Sequence, residues 1–263
     1  MEIAYWPESC GENIPGDANR IYIGHETGVE QIPAMKDIID TSHQILDTNR
    51  QITLVTPAFL SEKDMNHMRQ LIEAISGLTD GLDEVVCNDW GLLYWLTEDN
   101  IAKPVIGRLL VGQATDPRLS VFDSPERQIP FERFVQHADG TMVRLLYRRP
   151  KPALMSHLRS CAIANPEVLS FFTQLGVQRL EISNVLQGIE MTPGPGWSVS
   201  LHLPEVPVAL ARHNWSGNGN QWLHPSFPVD LYKRNNMIFY RNYDKPENLS
   251  KLQIDRLVYR IQK

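Results

Sequence analysis

Cysteine is scarce in this sequence: three among 263 residues, Cys10, Cys87 and Cys161, widely spaced and with no C-x-x-C pair. Their odd number and spacing support neither a disulfide framework nor a zinc ribbon, and point to a reducing compartment. Positive charge is short too. The formal net charge of -6 argues against general DNA binding or attachment to an anionic membrane, since both need a positive field over much of the surface. No apolar run approaches the roughly 20 residues of a bilayer span. No basic-then-apolar leader opens the chain, so the sequence leads us to expect a soluble cytoplasmic protein. Without a secretion signal, the sequons at Asn214 and Asn248 carry no weight. The G-x-S-x-G elbow of hydrolases, the P-loop and the dinucleotide fingerprint are all missing.

What the chain does have is an apolar content of 42%, enough for a sizeable core, and a regular beat. The β-rich runs Arg20 to Gly24, Gln51 to Pro57 and Asp83 to Asp89 start 31 and then 32 residues apart, which is the pace of βαβ units. Between them, Met35, Ile38, Ile39, Ile45 and Leu46, then Met65, Met68, Leu71, Ile72 and Ile75, recur at helical spacing. Ser61 and Asp64 make a capping box at the start of the second helix. Ile3 to Trp6, Pro104 to Gly112, Val177 to Ser183, Trp197 to Leu203 and Gln253 to Tyr259 add five more apolar runs. Eight strands with intervening helices predict a (β/α)8 TIM-barrel-like α/β fold, one domain over residues 1–263. Residues 116–152 read as an insertion or decorated loop, and 213–235 as an irregular, Gly- and Asn-rich loop region.

In such a barrel the active face lies where strands pass into helices, so polar residues directly after apolar runs are the first candidates. Asp89, His25 and His213 are candidates for acid, base or metal ligand. Asn88, Arg108, Gln113, Glu181, Asn184, Gln187 and Arg212 are candidates for substrate binding, and Glu26 and Thr56 stand at two further strand ends. Asp89 could equally cap the helix that begins at Trp90. Cys87 reads as a buried structural thiol in its Val-Val strand, because nothing near it lowers its pKa. His202, His213 and His224, eleven residues apart, match no compact metal motif. Arg144, Arg148, Arg149, Lys151 and Arg159 form a local basic run that suits a phosphate-bearing ligand or is simply solvated. Trp90, Tyr94, Trp95, Trp215 and Trp222 offer apolar surface to an aromatic ligand, or ordinary packing.

The stretches YWPES, ANRIYIGHE, EVVCNDWGLLYWL, VIGRLLVGQATDPRL, LGVQRLEISNVLQGI and LYKRNNMIFYRN, in this order, resemble the collagenase-like U-type peptidases (family thirty-two), and within them the relatives of UbiU and UbiV. The resemblance implies a barrel-like fold. It also implies four cysteines at the barrel mouth that hold an iron-sulfur cluster in the ubiquinone-pathway relatives. Here the position after the IYIG strand reads HETG, and Arg212 to Tyr232 contains no cysteine. An iron-sulfur cluster is therefore not expected, since thiolates are the required ligands; no cofactor is predicted, although His25, His213 and His224 could suit a non-cluster metal. The functional expectation is a cluster-less member acting as a subunit or accessory factor in a quinone-like small-molecule or RNA modification pathway, beside a cysteine-bearing paralogue. The alternative is a stand-alone peptidase or metal-dependent enzyme that uses strand-end Asp and His residues.

Overall fold

The apolar runs become strands because each must divide its side chains between two buried surfaces, the inside of a barrel and the layer of helices around it. In a computed structural model, which describes residues 1–8, 14–78, 81–122, 131–136, 139–148, 150–191, 193–212 and 229–261, the described residues form thirteen strands and five α-helices. In chain order they are β1 (Glu2–Trp6), β2 (Arg20–Gly24), α1 (Met35–Leu46), β3 (Gln51–Val55), α2 (Glu62–Ser76), β4 (Leu82–Cys87), α3 (Trp90–Asp99), β5 (Lys103–Ile106), β6 (Phe131–Gln136), β7 (Met142–Tyr147), α4 (Pro152–Arg159), α5 (Pro166–Gln174), β8 (Arg179–Ser183), β9 (Ser198–Leu203), β10 (Glu205–Leu210), β11 (Tyr232–Arg234), β12 (Met237–Arg241) and β13 (Ile254–Arg260). Eight of the strands close a parallel barrel in the order β1-β13-β9-β8-β5-β4-β3-β2. All eight apolar runs read from the sequence are barrel strands, and the fold is the expected (β/α)8 type.

Alternation decides what lies inside. On β4, Glu84 bonds to an interior arginine and Val86 joins the interior cluster, while Val85 and Cys87 join the core between barrel and helices. Cys87 is thus fully buried but faces the helix layer. The helices cover that layer through the stripes foreseen from spacing: Ile38 and Ile45 on α1, and Met68, Leu71, Ile72 and Ile75 on α2. The capping box is present, with Ser61 accepting from the Asp64 amide and Asp64 from the Ser61 amide.

The interior is stacked in layers. At the amino ends of the strands Arg20 reaches Glu2 and Asp83, both at 2.7 Å, and Arg256 reaches Glu2 and Glu84, both at 2.6 Å. Above this ionic floor, Ala4, Tyr22, Val55, Val86, Val105 and Val258 pack together. Within the same layer Glu181 accepts from the Tyr22 hydroxyl at 2.7 Å and lies 2.8 Å from His202 Nε2. Trp6 sits over them, edge-on to His202 at 5.8 Å.

Two connections depart from the simple repeat. Between β5 and β8 the chain makes the antiparallel hairpin β6-β7 inside the stretch read as an insertion. Between β9 and β13, after a cis Leu203-Pro204 peptide, it makes a three-stranded antiparallel sheet in the order β10-β12-β11. The stretch 213–235 was expected to be irregular throughout; its described end instead contains β11, paired with β12 from Tyr232 to Arg234. This small sheet roofs the carboxyl ends of the barrel strands. Asn236 Nδ2 donates to the Thr27 carbonyl at 2.5 Å and to the Ala211 carbonyl at 2.8 Å, and Arg108 Nη1 donates to the Glu205 carbonyl at 2.6 Å. No helix among the described residues is long and apolar enough to cross a membrane.

Candidate functional site

The residues that follow the barrel strands converge beneath the roof. His25, Glu26 and Thr27 leave β2 through Gly24, whose φ of +90° suits glycine and whose added Cβ would lie 2.3 Å from the Val55 carbonyl oxygen. This close approach lets the His25 amide bond to that same carbonyl at 3.1 Å, so β2 and β3 stay together to their ends. Asn88 ties three strand ends: its Nδ2 donates to the Thr56 carbonyl at 2.9 Å and its Oδ1 accepts from the Leu109 amide at 3.2 Å.

Two ion pairs fill the walls. Arg108 grips Glu26 through Nη2 at 2.5 Å and Nε at 2.9 Å, and Arg234 grips Glu205 at 2.5 and 2.7 Å. Burial alone would raise the Glu26 carboxyl; the Arg108 charge and hydrogen bonds override it and hold the pKa at about 2. Glu205 is likewise lowered: burial opposes ionisation, and Arg234 outweighs it. Tyr232 donates a further hydrogen bond to Glu205 at 2.5 Å.

A third guanidinium has no such partner among the described residues. Arg260, at the end of β13, is 8% exposed. Its Nε and Nη1 have no hydrogen-bond acceptor, and its Nη2 lies 3.5 Å from His25 Nε2. The guanidinium sits 4.1 Å from the centre of the Trp6 ring, a cation-π contact worth about 0.5 to 2 kcal/mol. Burial, then repulsion from Arg234, lowers its pKa to about 10, so it is still charged at neutral pH. Among the described residues, Arg108 and Arg234 are each paired with a carboxylate and Arg260 is not. His25 responds to these charges: burial, then Arg260 and Arg234, depress its pKa to about 3, and the ring is neutral.

The site candidates read from the sequence divide accordingly. His25, Arg108 and Glu26 meet at the mouth, and Glu181 lies in the layer below. Gln113 bonds both the amide and the carbonyl of Ser183, at 2.8 and 3.0 Å. Asn184 holds the Asn242 and Asp244 carbonyls, and Gln187 those of Ala114 and Leu158. These three amides pin loops together. Arg212 is exposed. Asp89 accepts from the amides of Gly91, Leu92 and Leu60, at 2.8, 3.2 and 3.2 Å, and its backbone is extended, as at a helix N-cap. Its carboxylate is committed to the start of α3. His213, His224, Trp215, Trp222, Arg149 and Cys10 lie outside the described residues. The other aromatic candidates belong to the helix layer, with Trp90 stacked on Phe172 at 5.6 Å and Trp95 beneath Arg69. Sequence reasoning passed over Trp6, Arg234 and Arg260. For Arg260 a signal existed, because it follows the apolar run Leu257-Val258-Tyr259.

The described thiols do not fit an iron-sulfur cluster. Cys87 is fully buried among the helices, its pKa raised by desolvation and by Asp89. Cys161 lies 3.4 Å from Met191 Sδ, pushed up to about 11 by burial. Neither faces the mouth cluster. Among the described residues, no group of three or more His, Cys, Asp or Glu side chains is placed to hold a metal ion.

No protein-family model matches the sequence, and no curated protein matches it. A solved structure of a U32 peptidase is similar with a TM-score of 0.49 and 10% identity, over 100% of this chain and 94% of that one.

Proposed function

We propose that this protein binds a small molecule at the barrel mouth and serves as a subunit or accessory factor in a modification pathway, rather than as a stand-alone peptidase. The observation that carries this reading is the commitment of the carboxylates described there. Glu26 belongs to Arg108, Glu205 to Arg234, Glu181 to Tyr22 and His202, and Asp89 to three helix and loop amides. General acid-base catalysis needs a group that can exchange a proton near neutral pH. His25, held near pKa 3, is a weak base, and each of these acids is bonded elsewhere.

Binding suits the same geometry. A mouth roofed by a sheet and lined by buried side chains admits a small molecule more readily than a nucleic-acid backbone. The surface basic run is also partly neutralised, since Arg144 pairs with Glu132 and Arg159 with Glu190. A small molecule, quinone-like as the sequence resemblance implies, is therefore favoured over RNA as the substrate. Any redox chemistry would come from the cysteine-bearing partner that the same resemblance implies.

The test has two arms. Purified protein should leave collagen-like and unstructured peptides uncleaved, and coexpression with cysteine-bearing relatives should give a complex that coelutes in fixed proportion. Peptide cleavage that disappears in Asp89→Asn, a change that keeps a cap-competent side chain, would overturn the proposal.

A further inference from the structure

Among the described residues, the mouth contains an arrangement of donors with no acceptor. The Thr27 amide donates to His25 Nδ1 at 3.2 Å, and the Thr27 hydroxyl lies 2.7 Å from the same nitrogen. A backbone N–H can only donate, so Nδ1 must be the bare nitrogen of the neutral ring, and the proton is on Nε2. That Nε2–H faces Arg260 Nη2, itself only a donor, across 3.5 Å. Arg260 Nε and Nη1 add unpaired N–H groups in the same buried place. Removing a guanidinium from water without an anionic partner is among the costliest arrangements a fold can hold. Here the nearest carboxylates, Glu26 and Glu205, are already gripped by Arg108 and Arg234.

We propose that this gap is an oxyanion site, in which Arg260 and the Nε2–H of His25 together take a carboxylate or phosphoryl oxygen of the bound small molecule. The assignment rests on reading the mouth as a small-molecule site, and it names the ligand's chemical class. Trp6 covers one face of the guanidinium at 4.1 Å, so the anion approaches the edge, where the N–H groups point. Arg260 supplies the charge and His25 the directional second donor. Thr27 is the positioning residue that fixes the tautomer.

The experiment follows the His25 ring nitrogens by NMR, together with thermal unfolding, in the full chain at constant ionic strength. The probes are inorganic phosphate, acetate and benzoate, with chloride as the control anion. At least one oxyanion should raise the melting temperature and shift the His25 Nε2 resonance, and should raise the pH at which His25 titrates, because it offsets the repulsion from Arg260 and Arg234. A response to phosphate alone assigns a phosphoryl ligand, and a response to the carboxylates alone a carboxylate ligand. Arg260→Gln should weaken the binding at least tenfold. It should also raise the His25 titration point with no anion present and leave the protein at least as stable as before, since it removes a buried charge that has no carboxylate partner among the described residues. A side chain needed only for packing would give an unstable variant with unchanged His25. If no oxyanion acts beyond the chloride control, or if Arg260→Gln binds as well as the parent, the site is not an oxyanion site. Peptide cleavage is scored separately, so a hydrolase that binds oxyanions would sink the proposed function while leaving this inference standing.

Discussion

Asp89 offers the sharpest division between a chemical and an architectural role. Replacing it with alanine removes the acceptor for Gly91 and Leu92 at the start of α3 and for Leu60 in the preceding loop. Loss of an N-cap costs about 1 kcal/mol, and the part-buried Leu60 amide, left without its acceptor, adds about 1 kcal/mol more. Asp89→Ala should therefore destabilise the protein by about 2 kcal/mol. For a chain of this size that corresponds to a melting temperature lower by about 4 to 8 °C. Asp89→Ser keeps a cap but is too short to serve both helix and loop, so it should recover about half of the loss. The measurement is urea unfolding with a shared slope, so that midpoint shifts report stability alone. If alanine leaves the midpoint within about 0.5 kcal/mol of the parent, or if serine is no better than alanine, the capping argument fails.

Four further outcomes follow from the buried charges and thiols. His25 has a folded pKa near 3 against an ordinary value of 6.5, so the unfolded chain takes up the proton first. Stability should be fully present above pH 6.5 and fall by about 1.4 kcal/mol per unit below it, whereas His25→Gln should be flat between pH 6.5 and 5; equal slopes in urea titrations would refute this. Glu26, depressed from 4.5 to about 2 by Arg108 despite burial, contributes stability above pH 4.5 that disappears as the pH falls toward 2, so Glu26→Gln should lose the corresponding part of the acid transition. Arg256→Met leaves Glu84 with the 3.4 Å approaches of Arg20 and Arg179 and the Thr53 hydroxyl at 3.3 Å and should cost about 3 to 5 kcal/mol, partly restored by adding Glu84→Gln in a double-mutant cycle. Native Cys87 should resist a thiol reagent at pH 8 until the protein unfolds, as read by mass spectrometry of its peptide, because burial and Asp89 raise its pKa.

The barrel strands were legible because β-branched runs at a 31- to 32-residue beat leave few alternatives, and α2 announced itself through Ser61 and Asp64. The roof was not legible. Its first strand, β10, carries Pro207, which reads as a strand breaker; the residue is tolerated because β10 is an edge of the β10-β12-β11 sheet. The opposite edge strand, β11, is three residues long, too short for any alternation to register. The mouth was half legible. Position after a strand selected His25, Glu26 and Asp89, but position does not tell a cap from a site. The unpaired state of Arg260 depends on a histidine 235 residues earlier in the chain and on the tautomer that Thr27 imposes, and only three-dimensional proximity reveals either.

The barrel is sealed where β1 meets β13, with Glu2 opposite Arg256 and Trp6 opposite Arg260. A ribosome therefore releases the first strand long before its neighbour exists, and β1 must wait with one edge unpaired while some 250 residues emerge. Contacts this far apart in sequence are slow to form, and an open edge is a place for stray pairing. The last strand to arrive closes the ring and also delivers Arg260 onto Trp6. Closure of the fold and completion of the mouth are thus a single event, set by the pairing of β1 with β13.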